Sequence, residues 1–196
     1  MSHYYSEYQE SRLNIKKFKV IIKDIAFEFH TAGGVFSKNK LDKGTQILAD
    51  NMIINENNIA LDFGCGIGIL GIVIAKCYPN TRVIMTDINK RAVELARRNI
   101  KLNSIENAEA RQGNLFEPIR EKFNTIIINP PMKAGYKICF KIIEESKDFL
   151  LKGGTLQLVA LHNKGGKKLS EKMREIFSNV KELSKKSGYR VYVSEN

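Results

Sequence analysis

The sequence lacks the features of a membrane or secreted protein. Its longest apolar run, residues 67–75, ends at Lys76 and is too short to cross a bilayer. The first residues carry no apolar core of the kind that a secretory signal needs, so we expect a cytoplasmic protein with no membrane partner. Hydrophobic residues make up 43% of the 196 residues and charged residues 27%, which is typical of a globular domain.

Cysteine is scarce, and the three cysteines lie far apart. Cys65, Cys77 and Cys139 form no Cys-x-x-Cys pair, and no histidine lies near them at the spacing of metal ligands. We therefore expect no metal site, no disulfide and three free thiols.

Acidic residues are outnumbered by basic residues, 21 to 32, which gives a net charge of +11. The excess extends to the C-terminus, since the last 36 residues carry nine Lys or Arg and four Asp or Glu. Such a balance favours a nucleic acid or another polyanion as partner. A lysine-rich composition can produce the same charge without such a partner, so charge alone does not decide.

An N-terminal extension is predicted over residues 1–50. Residues 18–29 alternate apolar and polar side chains about a short polar turn, which predicts a β-hairpin. A loop then leads to a helix that we expect to begin near Asp42, with Ile47 and Leu48 on its buried face.

A different pattern begins at Ile59. Short, continuously apolar segments alternate with helical patterns, which is typical of an α/β domain whose parallel sheet is covered on both faces. A helix over Lys90–Lys101 is expected to begin at an Asn89 cap. The other helices are expected up to Ala75 and over 138–150 and 169–177. The predicted strands lie at 59–61, 83–85, 108–112, 125–128 and 155–160, with 180–183 and 189–193 as a terminal hairpin.

The first predicted strand leads into the series Asp62-x-Gly64-x-Gly66-x-Gly68. Glycines at this spacing let the backbone turn sharply and approach a ligand closely. The second strand ends at Asp87, where a carboxylate can accept hydrogen bonds from ribose hydroxyls. A plain turn without ligand, or a nicotinamide or flavin site, would show a similar glycine pattern. Asp62 would repel a pyrophosphate and therefore favours a cofactor with a cationic group, such as S-adenosylmethionine.

Asn129-Pro130-Pro131 follows a later strand. The two prolines lack N–H donors, so the side-chain oxygen of Asn129 and the carbonyl of Pro130 remain as acceptors. Such a pair can hold a planar NH₂ group by its two hydrogens. The same residues can also form no more than a rigid turn, but their position one strand from the glycine turn favours the functional interpretation.

Together these motifs resemble class I S-adenosylmethionine-dependent methyltransferases, and more narrowly the ribosomal small-subunit methyltransferase C type in a single-domain archaeal branch. The resemblance implies a Rossmann-like fold with a mostly parallel seven-stranded sheet, an antiparallel C-terminal hairpin and a catalytic domain over 51–196. It also implies methylation of guanine N2 in small-subunit ribosomal RNA, with S-adenosyl-L-methionine as cofactor and RNA as partner. The matching segments are 34–37, 41–45, 62–68, Asp87, 113–114, 129–135 and 188–191.

The resemblance further implies roles for individual residues. Asn129 and Pro130 would be the catalytic residues that hold the acceptor amine. The cofactor-binding residues would be Asp62, Gly64, Cys65, Gly66, Gly68, Asp87, Ile88, Asn114, Leu115 and Asn129. The substrate-binding residues would be Phe36, Ser37, Pro131, Met132, Lys133 and Tyr136.

Two positions depart from the family pattern. Asn114 stands where the family usually has an aspartate beside the adenine amine, and its oxygen can still accept that hydrogen bond. Met132 stands where many relatives have an aromatic residue, so we expect the target base to stack on Met132 itself, on Phe36 or on Tyr136. Nearby lysines are candidate phosphate contacts, namely Lys38, Lys40, Lys43, Lys133 and Lys137.

The implied reaction is an in-line displacement at a sulfonium methyl, in which the protein mainly aligns the reactants. No histidine base stands near Asn129, and none is needed, because the methylated ammonium is acidic and loses its proton after attack. Two other functions fit similar motifs: a protein glutamine N5-methyltransferase, whose double proline is usually followed by Tyr, and a non-catalytic RNA-binding module with a methyltransferase shell. Met132, the basic charge and the segment 34–37 argue against the first, and the intact glycine turn, Asp87 and Asn129-Pro130-Pro131 argue against the second. The sequence leaves open which nucleotide is modified, whether free RNA or an assembled subunit is the substrate, and the oligomeric state.

Overall fold

The computed structural model describes residues 7–8, 14–36 and 41–196 and shows an α/β fold. The strands are β1 (Lys16–Ile22), β2 (Ile25–Thr31), β3 (Ile59–Phe63), β4 (Arg82–Asp87), β5 (Ala108–Gln112), β6 (Phe123–Ile128), β7 (Leu150–Leu161), β8 (Lys181–Lys186) and β9 (Tyr189–Glu195). The helices are α1 (Lys43–Asn51), α2 (Ile69–Cys77), α3 (Lys90–Leu102), α4 (Tyr136–Phe149) and α5 (Gly166–Phe177). Short 3₁₀ turns follow β6 and β7, at Met132–Ala134 and His162–Lys164.

Seven strands form one sheet in the order β5-β4-β3-β6-β7-β9-β8, and β1 and β2 pair separately as an antiparallel hairpin. Strands β3 to β7 pair in parallel, while β9 lies antiparallel between β7 and β8. The predicted fold class is therefore confirmed. The chain runs from β3 out to β5 and then returns to the other side of β3 with β6. The carboxyl ends of β3 and β6 are thus the switch point at which ligands bind in such sheets.

Apolar side chains cover both faces of the sheet. Ala60 and Ile127 belong to one buried cluster, while Leu61 and Ile126 belong to the other. This two-sided burial is the reason that β3 and β6 are continuously apolar rather than alternating. Helix α3 carries the predicted apolar stripe on its buried face, at Ala92, Val93, Leu95, Ala96 and Ile100.

Two asparagines of α3 hold the N-terminal hairpin against the domain. The Asn99 side chain accepts from the backbone N–H of His30 at 2.7 Å and donates to its carbonyl at 3.0 Å. Asn103 makes the same pair of hydrogen bonds with Glu28, at 3.2 and 2.8 Å. Four residues advance a helix by about 6 Å and two residues advance a strand by about 6.8 Å, so the two side chains match alternate residues of β2. Asn99 also donates to the carbonyl of Ile67, which joins the hairpin to the glycine turn.

The region after α4 differs from the prediction. The helix predicted over 138–150 ends at Phe149, and β7 begins at Leu150, because Leu150 pairs with Phe123 of β6. Gly153 and Gly154, which follow the predicted helix, lie inside an irregular part of β7, where both bond to the backbone of Asn196. In the described part of the chain, no helix is long and apolar enough to span a membrane.

Candidate active site

A cavity of about 590 Å³ opens at the carboxyl ends of β3, β4 and β6. The loops after β3, β4, β5 and β6 line it, as the sheet topology requires. It brings together most of the residues that the sequence predicted, namely Phe36, Asp62, Gly64, Cys65, Gly66, Asp87, Ile88, Asn114, Leu115, Asn129, Pro130, Pro131, Met132 and Lys133.

The glycine turn leaves an open cradle on the cavity wall. Gly64 and Gly66 have φ angles of +69° and +56°, which L side chains rarely adopt. A Cβ at either position would meet no atom within 4 Å, so the space beside the turn is available to a ligand. Gly68 is different and does not line the cavity. A Cβ there would lie 3.2 Å from both Ala96 and Met85, so Gly68 serves the packing at the start of α2.

Asp62 lies under the glycine turn with 2% of its surface exposed. Its Oδ2 accepts a hydrogen bond from the N–H of Gly71 at 2.8 Å, in the first turn of α2. Burial raises the pKa of this carboxyl to about 7, and the nearby Asp87 carboxylate adds to the shift. A cationic group bound in the cavity would therefore stabilise the ionised form of Asp62.

Asp87 fastens the turn from the neighbouring strand. Its Oδ2 accepts from the N–H of Gly66 at 2.8 Å, and its Oδ1 accepts from the N–H of Asn89 at 2.8 Å. Burial raises its pKa to about 6, while these backbone hydrogen bonds oppose the shift. Each carboxylate oxygen has a second lone pair, so Asp87 can hold the turn and still accept hydrogen bonds from a ligand.

Cys65 lies between the two open glycines and is buried. Burial raises the pKa of its thiol well above the usual range, with the nearby carboxylates of Asp62 and Asp87 acting in the same direction. The thiol is therefore neutral, and a nucleophilic role does not fit it. All three cysteines are unpaired, as predicted.

Thr86 supplies a polar atom that the sequence analysis missed. It lies at the end of β4 and lines the cavity, yet its Oγ1 is buried without a hydrogen-bond partner in the described part of the chain. Buried hydroxyls are normally hydrogen-bonded. The unpartnered hydroxyl, the open glycine cradle and the two carboxylates together fit a ligand that carries hydroxyl and cationic amine groups, as S-adenosylmethionine does.

The Asn129 amide has a defined orientation. Its Nδ2 donates to Thr45 Oγ1 at 2.9 Å and to Asp42 Oδ2 at 3.1 Å. Asp42 Oδ2 and Thr45 Oγ1 lie 3.3 Å apart, so both acceptors hold Nδ2 on the same side, which leaves Oδ1 as the atom of this side chain that can accept from a substrate. The adjacent Pro130 carbonyl accepts from the N–H of Met132 at 2.8 Å, and its second lone pair remains for a further donor.

The predicted base-stacking residues separate into two groups. Phe36 and Met132 line the cavity, whereas Tyr136 does not. The Tyr136 ring lies under the ammonium of Lys168, 4.8 Å from its centroid, and its hydroxyl packs against Gly165. Ser37, Lys38 and Lys40 were also predicted to contact the substrate, and they lie outside the described residues.

Several lining residues were not among those predicted for the site, including Asp42, Thr45, Thr86, Lys164 and Tyr189. Asp42, Thr45 and Tyr189 stand in segments that carried the family resemblance, which was the signal available for them. Thr86 stands inside an apolar strand, and Lys164 in a basic tail, so neither had a local pattern to mark it.

Comparisons with known proteins show the family to which the chain belongs. The family model of the methyltransferase small domain matches residues 26–193. The uncharacterised protein YbxB of Bacillus subtilis is 34% identical over 192 residues, which cover 96% of each chain. Ribosomal RNA small subunit methyltransferase C of Hamiltonella defensa is 34% identical over 175 residues, 87% of this chain and 50% of that protein. The chain thus spans about half the length of the methyltransferase C relatives that it matches.

Solved structures share the fold. The T. thermophilus 16S rRNA N2 G1207 methyltransferase (RsmC), in complex with AdoMet and guanosine, has a TM-score of 0.84 at 22% identity and covers 95% of this chain and 51% of its own. A methyltransferase from Pyrococcus furiosus has a TM-score of 0.65 at 23% identity, and the match covers 73% of this chain and 77% of that one. The family match, the relatives and the shared architecture lead to one assignment. The chain belongs to the methyltransferase small domain family, and it is similar in sequence to RsmC methyltransferases over about half of their length.

Proposed function

We propose that this chain transfers a methyl group from S-adenosylmethionine to the exocyclic amine of an RNA base, and that the base is guanine, methylated at N2, in small-subunit ribosomal RNA. The orientation of Asn129 carries the proposal. Its Nδ2 is held by Thr45 and Asp42, which leaves its oxygen to accept from an NH₂ group. The relatives named for methylation of small-subunit RNA support the choice of substrate.

The cofactor side of the cavity fits this role. S-adenosylmethionine, when bound, supplies an electrophilic methyl group on a sulfonium. Gly64 and Gly66 offer the backbone cradle, and Asp62 would neutralise the cofactor's ammonium group. Asp87 offers acceptors for ribose hydroxyls.

The acceptor side needs alignment more than base catalysis. The lone pair of guanine N2 is delocalised into the ring, which makes the amine a poor nucleophile. Hydrogen bonds to Asn129 Oδ1 and to the second lone pair of the Pro130 carbonyl would hold both hydrogens and favour a pyramidal nitrogen. Holding the two reactants in line supplies most of what such a transfer requires of the protein. The product loses its proton to solvent after attack.

Basic residues at the cavity favour RNA over a protein substrate. Lys133 and Lys164 both line the cavity. The whole chain carries a net charge of +11. Lysines around a site hold a nucleic acid through its phosphates, which position the strand, while the cavity selects the base.

The test is methyl transfer with labelled S-adenosylmethionine. Small ribosomal subunits and naked ribosomal RNA, both from cells that lack this gene, are incubated with the protein, and release factor is offered in parallel. We expect N2-methylguanosine in digested RNA by mass spectrometry, and an initial rate of labelling about 100–1000-fold lower with Asn129→Ala. Label in the release factor alone would identify a glutamine methyltransferase. Tight cofactor binding without transfer to any of these substrates would contradict an enzymatic role on them.

A further inference from the structure

We propose that Asp42 and Thr45 are positioning residues that fix the orientation of the Asn129 amide, and that Asp42 is the reason that residue 129 is asparagine rather than aspartate. This inference rests on the proposed function, because it assigns a purpose to the Asn129 oxygen. Asp42 and Thr45 belong to the segment 41–45, which the sequence analysis quoted for its family resemblance without a role.

The hydrogen bonds in this cluster run in one direction. Asp42 Oδ2 accepts from the backbone N–H of Thr45 at 3.0 Å, from the Thr45 hydroxyl at 3.3 Å and from Asn129 Nδ2 at 3.1 Å. Thr45 has a single hydroxyl hydrogen. Since that hydrogen points to Asp42, the Thr45 oxygen faces Asn129 as an acceptor, at 2.9 Å.

A carboxylate only accepts hydrogen bonds, so Thr45 and Asn129 must both act as donors toward Asp42. If the amide were flipped, Asn129 Oδ1 would lie about 3 Å from Asp42 Oδ2 with no hydrogen between them. The flipped form would also present a donor to the substrate amine. Asp42 thus disfavours the flipped amide, whose NH₂ group could not accept a hydrogen bond from the substrate amine.

Packing keeps the cluster rigid. Thr45 is 5% exposed, and Asp42 is the N-cap of α1, which holds both residues in the first turn of that helix. A Cβ on Gly44 would lie 3.0 Å from Tyr189 Cε1 and 3.1 Å from Asp42 Oδ2, so a larger residue there would have to displace the ring or the carboxylate by a few tenths of an ångström. Asp42, Gly44 and Thr45 therefore all contribute to the packing around the Asn129 amide.

An aspartate at position 129 would respond to Asp42 in a characteristic way. Two carboxylates about 3 Å apart share one proton, because both cannot ionise side by side. With that proton, the introduced carboxyl would copy the amide, since its O–H would donate to Asp42 or Thr45 while its carbonyl oxygen accepted from the substrate. The other titratable groups that line the cavity are Asp62, Cys65, Asp87, Lys133, Lys164 and Tyr189.

The first experiment needs no substrate. The side-chain NH₂ signals of Asn129 are identified in ¹⁵N–¹H spectra by their loss in Asn129→Asp. In Thr45→Val, which keeps the shape but removes the acceptor, we expect these signals to move and to exchange faster with solvent. In the matched variant Thr45→Ser, which keeps the hydroxyl, they should remain close to the wild-type positions. Equal spectra for Thr45→Val and Thr45→Ser would overturn the proposal.

The second experiment measures turnover on the RNA substrate. Thr45→Val is expected to lower kcat about tenfold, as the loss of one hydrogen bond predicts, while the Kd for S-adenosylmethionine stays within about twofold. Thr45→Ser should retain most of the turnover. Asn129→Asp should gain activity relative to wild type as the pH falls, and adding Asp42→Asn, which still caps the helix, should move that gain to lower pH. Asn129→Asp activity that rises with pH would overturn the proposal.

The two failures are distinguishable. If the wild-type protein transfers no methyl group to RNA, the proposed function fails, and the spectra still decide whether Thr45 and Asp42 orient Asn129. If the wild-type protein methylates RNA but the Thr45 variants behave alike in both experiments, the positioning role fails and the proposed function stands.

Discussion

The carboxylate of Asp87 accepts a hydrogen bond from the backbone N–H of Gly66 at 2.8 Å. A residue expected to bind a ribose therefore also ties the glycine turn after β3 to the end of β4. Its other oxygen accepts from the N–H of Asn89, so both oxygens face donors of the protein itself. The cofactor site and the backbone that shapes it consequently depend on the same side chain.

This double use predicts that Asp87→Asn is not a mild change. An amide offers one acceptor and one donor, so it cannot satisfy both Gly66 and Asn89, and one N–H would face an NH₂ group. We expect hydrogen exchange at the Gly66 amide to accelerate and S-adenosylmethionine to bind about 10–100-fold more weakly. Asp62→Asn is the matched control for the turn, because among the described residues Asp62 bonds to the backbone through Oδ2 alone. Unchanged Gly66 exchange in Asp87→Asn would contradict this prediction.

The buried carboxylates predict an unusual dependence of stability on pH. The pKa of Asp62 is raised to about 7 and that of Asp87 to about 6, from an ordinary value of 3.8. Between the ordinary and the raised values, the folded protein without cofactor binds more protons than the unfolded chain. The contribution of these carboxyls to stability is therefore greatest at low pH and declines as the pH rises through about 4–7.

The sulfonium and ammonium of bound S-adenosylmethionine favour the ionised carboxylates, so the stability that the cofactor adds should increase as the pH rises. We expect the increase in melting temperature caused by S-adenosylmethionine to be larger at about pH 8 than at about pH 5.5. We also expect cofactor binding near pH 6.5 to release protons, which calorimetry in buffers of different ionisation enthalpy measures. The release should shrink in Asp62→Asn. Proton uptake on binding would contradict the assigned role of these carboxylates.

Local sequence patterns were sufficient to predict a parallel sheet covered on both faces and the glycine turn that lines the cavity. The continuous apolar strands, the buried stripe of α3 and the glycine turn each arise from neighbours in sequence, and the structure shows all three. The predicted end of the helix at Leu150 was wrong because Leu150 pairs with Phe123 of β6, and a local pattern cannot indicate a partner that is distant in sequence.

The acceptor side depended on contacts between distant residues. Asp42 and Asn129 are 87 residues apart. The sequence marks Asp42 as the start of a helix and as part of a segment that resembles the family, and neither signal pairs it with Asn129. Tyr136 could not be separated from Phe36 by sequence, since its distance from the cavity follows from the packing of Lys168 and Gly165 upon it. Hydrogen-bond direction and tertiary packing are the information that periodicity does not contain.

The Asn129 assignment predicts a separation of turnover from cofactor binding. Asn129→Ala removes the acceptor for the substrate amine and leaves Asp87, Gly64 and Gly66 in place. We expect turnover to fall by about two to three powers of ten, comparable to the loss of one preorganised polar group in other enzymes. The Kd for S-adenosylmethionine, measured by calorimetry, should change by less than about twofold. Turnover near the wild-type value would remove Asn129 from the mechanism.

The lysines at the cavity predict a graded dependence of RNA binding on salt. Lys133 and Lys164 both line the cavity, where a strand presenting its base would bring phosphates close. Replacing both with Gln should weaken RNA binding, because fewer counterions are then released from the RNA. The slope of log K against log salt should decrease by about 0.7–0.9 for each phosphate that the variant no longer neutralises.

The matched control is the double replacement of Lys122 and Lys152. These exposed lysines lie near the amino-terminal ends of β6 and β7, at the opposite edge of the sheet from the cavity. The two double variants carry the same net charge, so a non-specific effect of charge would lower affinity and slope equally in both. A decrease confined to the Lys133 and Lys164 variant would locate the phosphate path at the cavity mouth. Equal decreases would show that the basic charge acts through the whole surface rather than at these two positions.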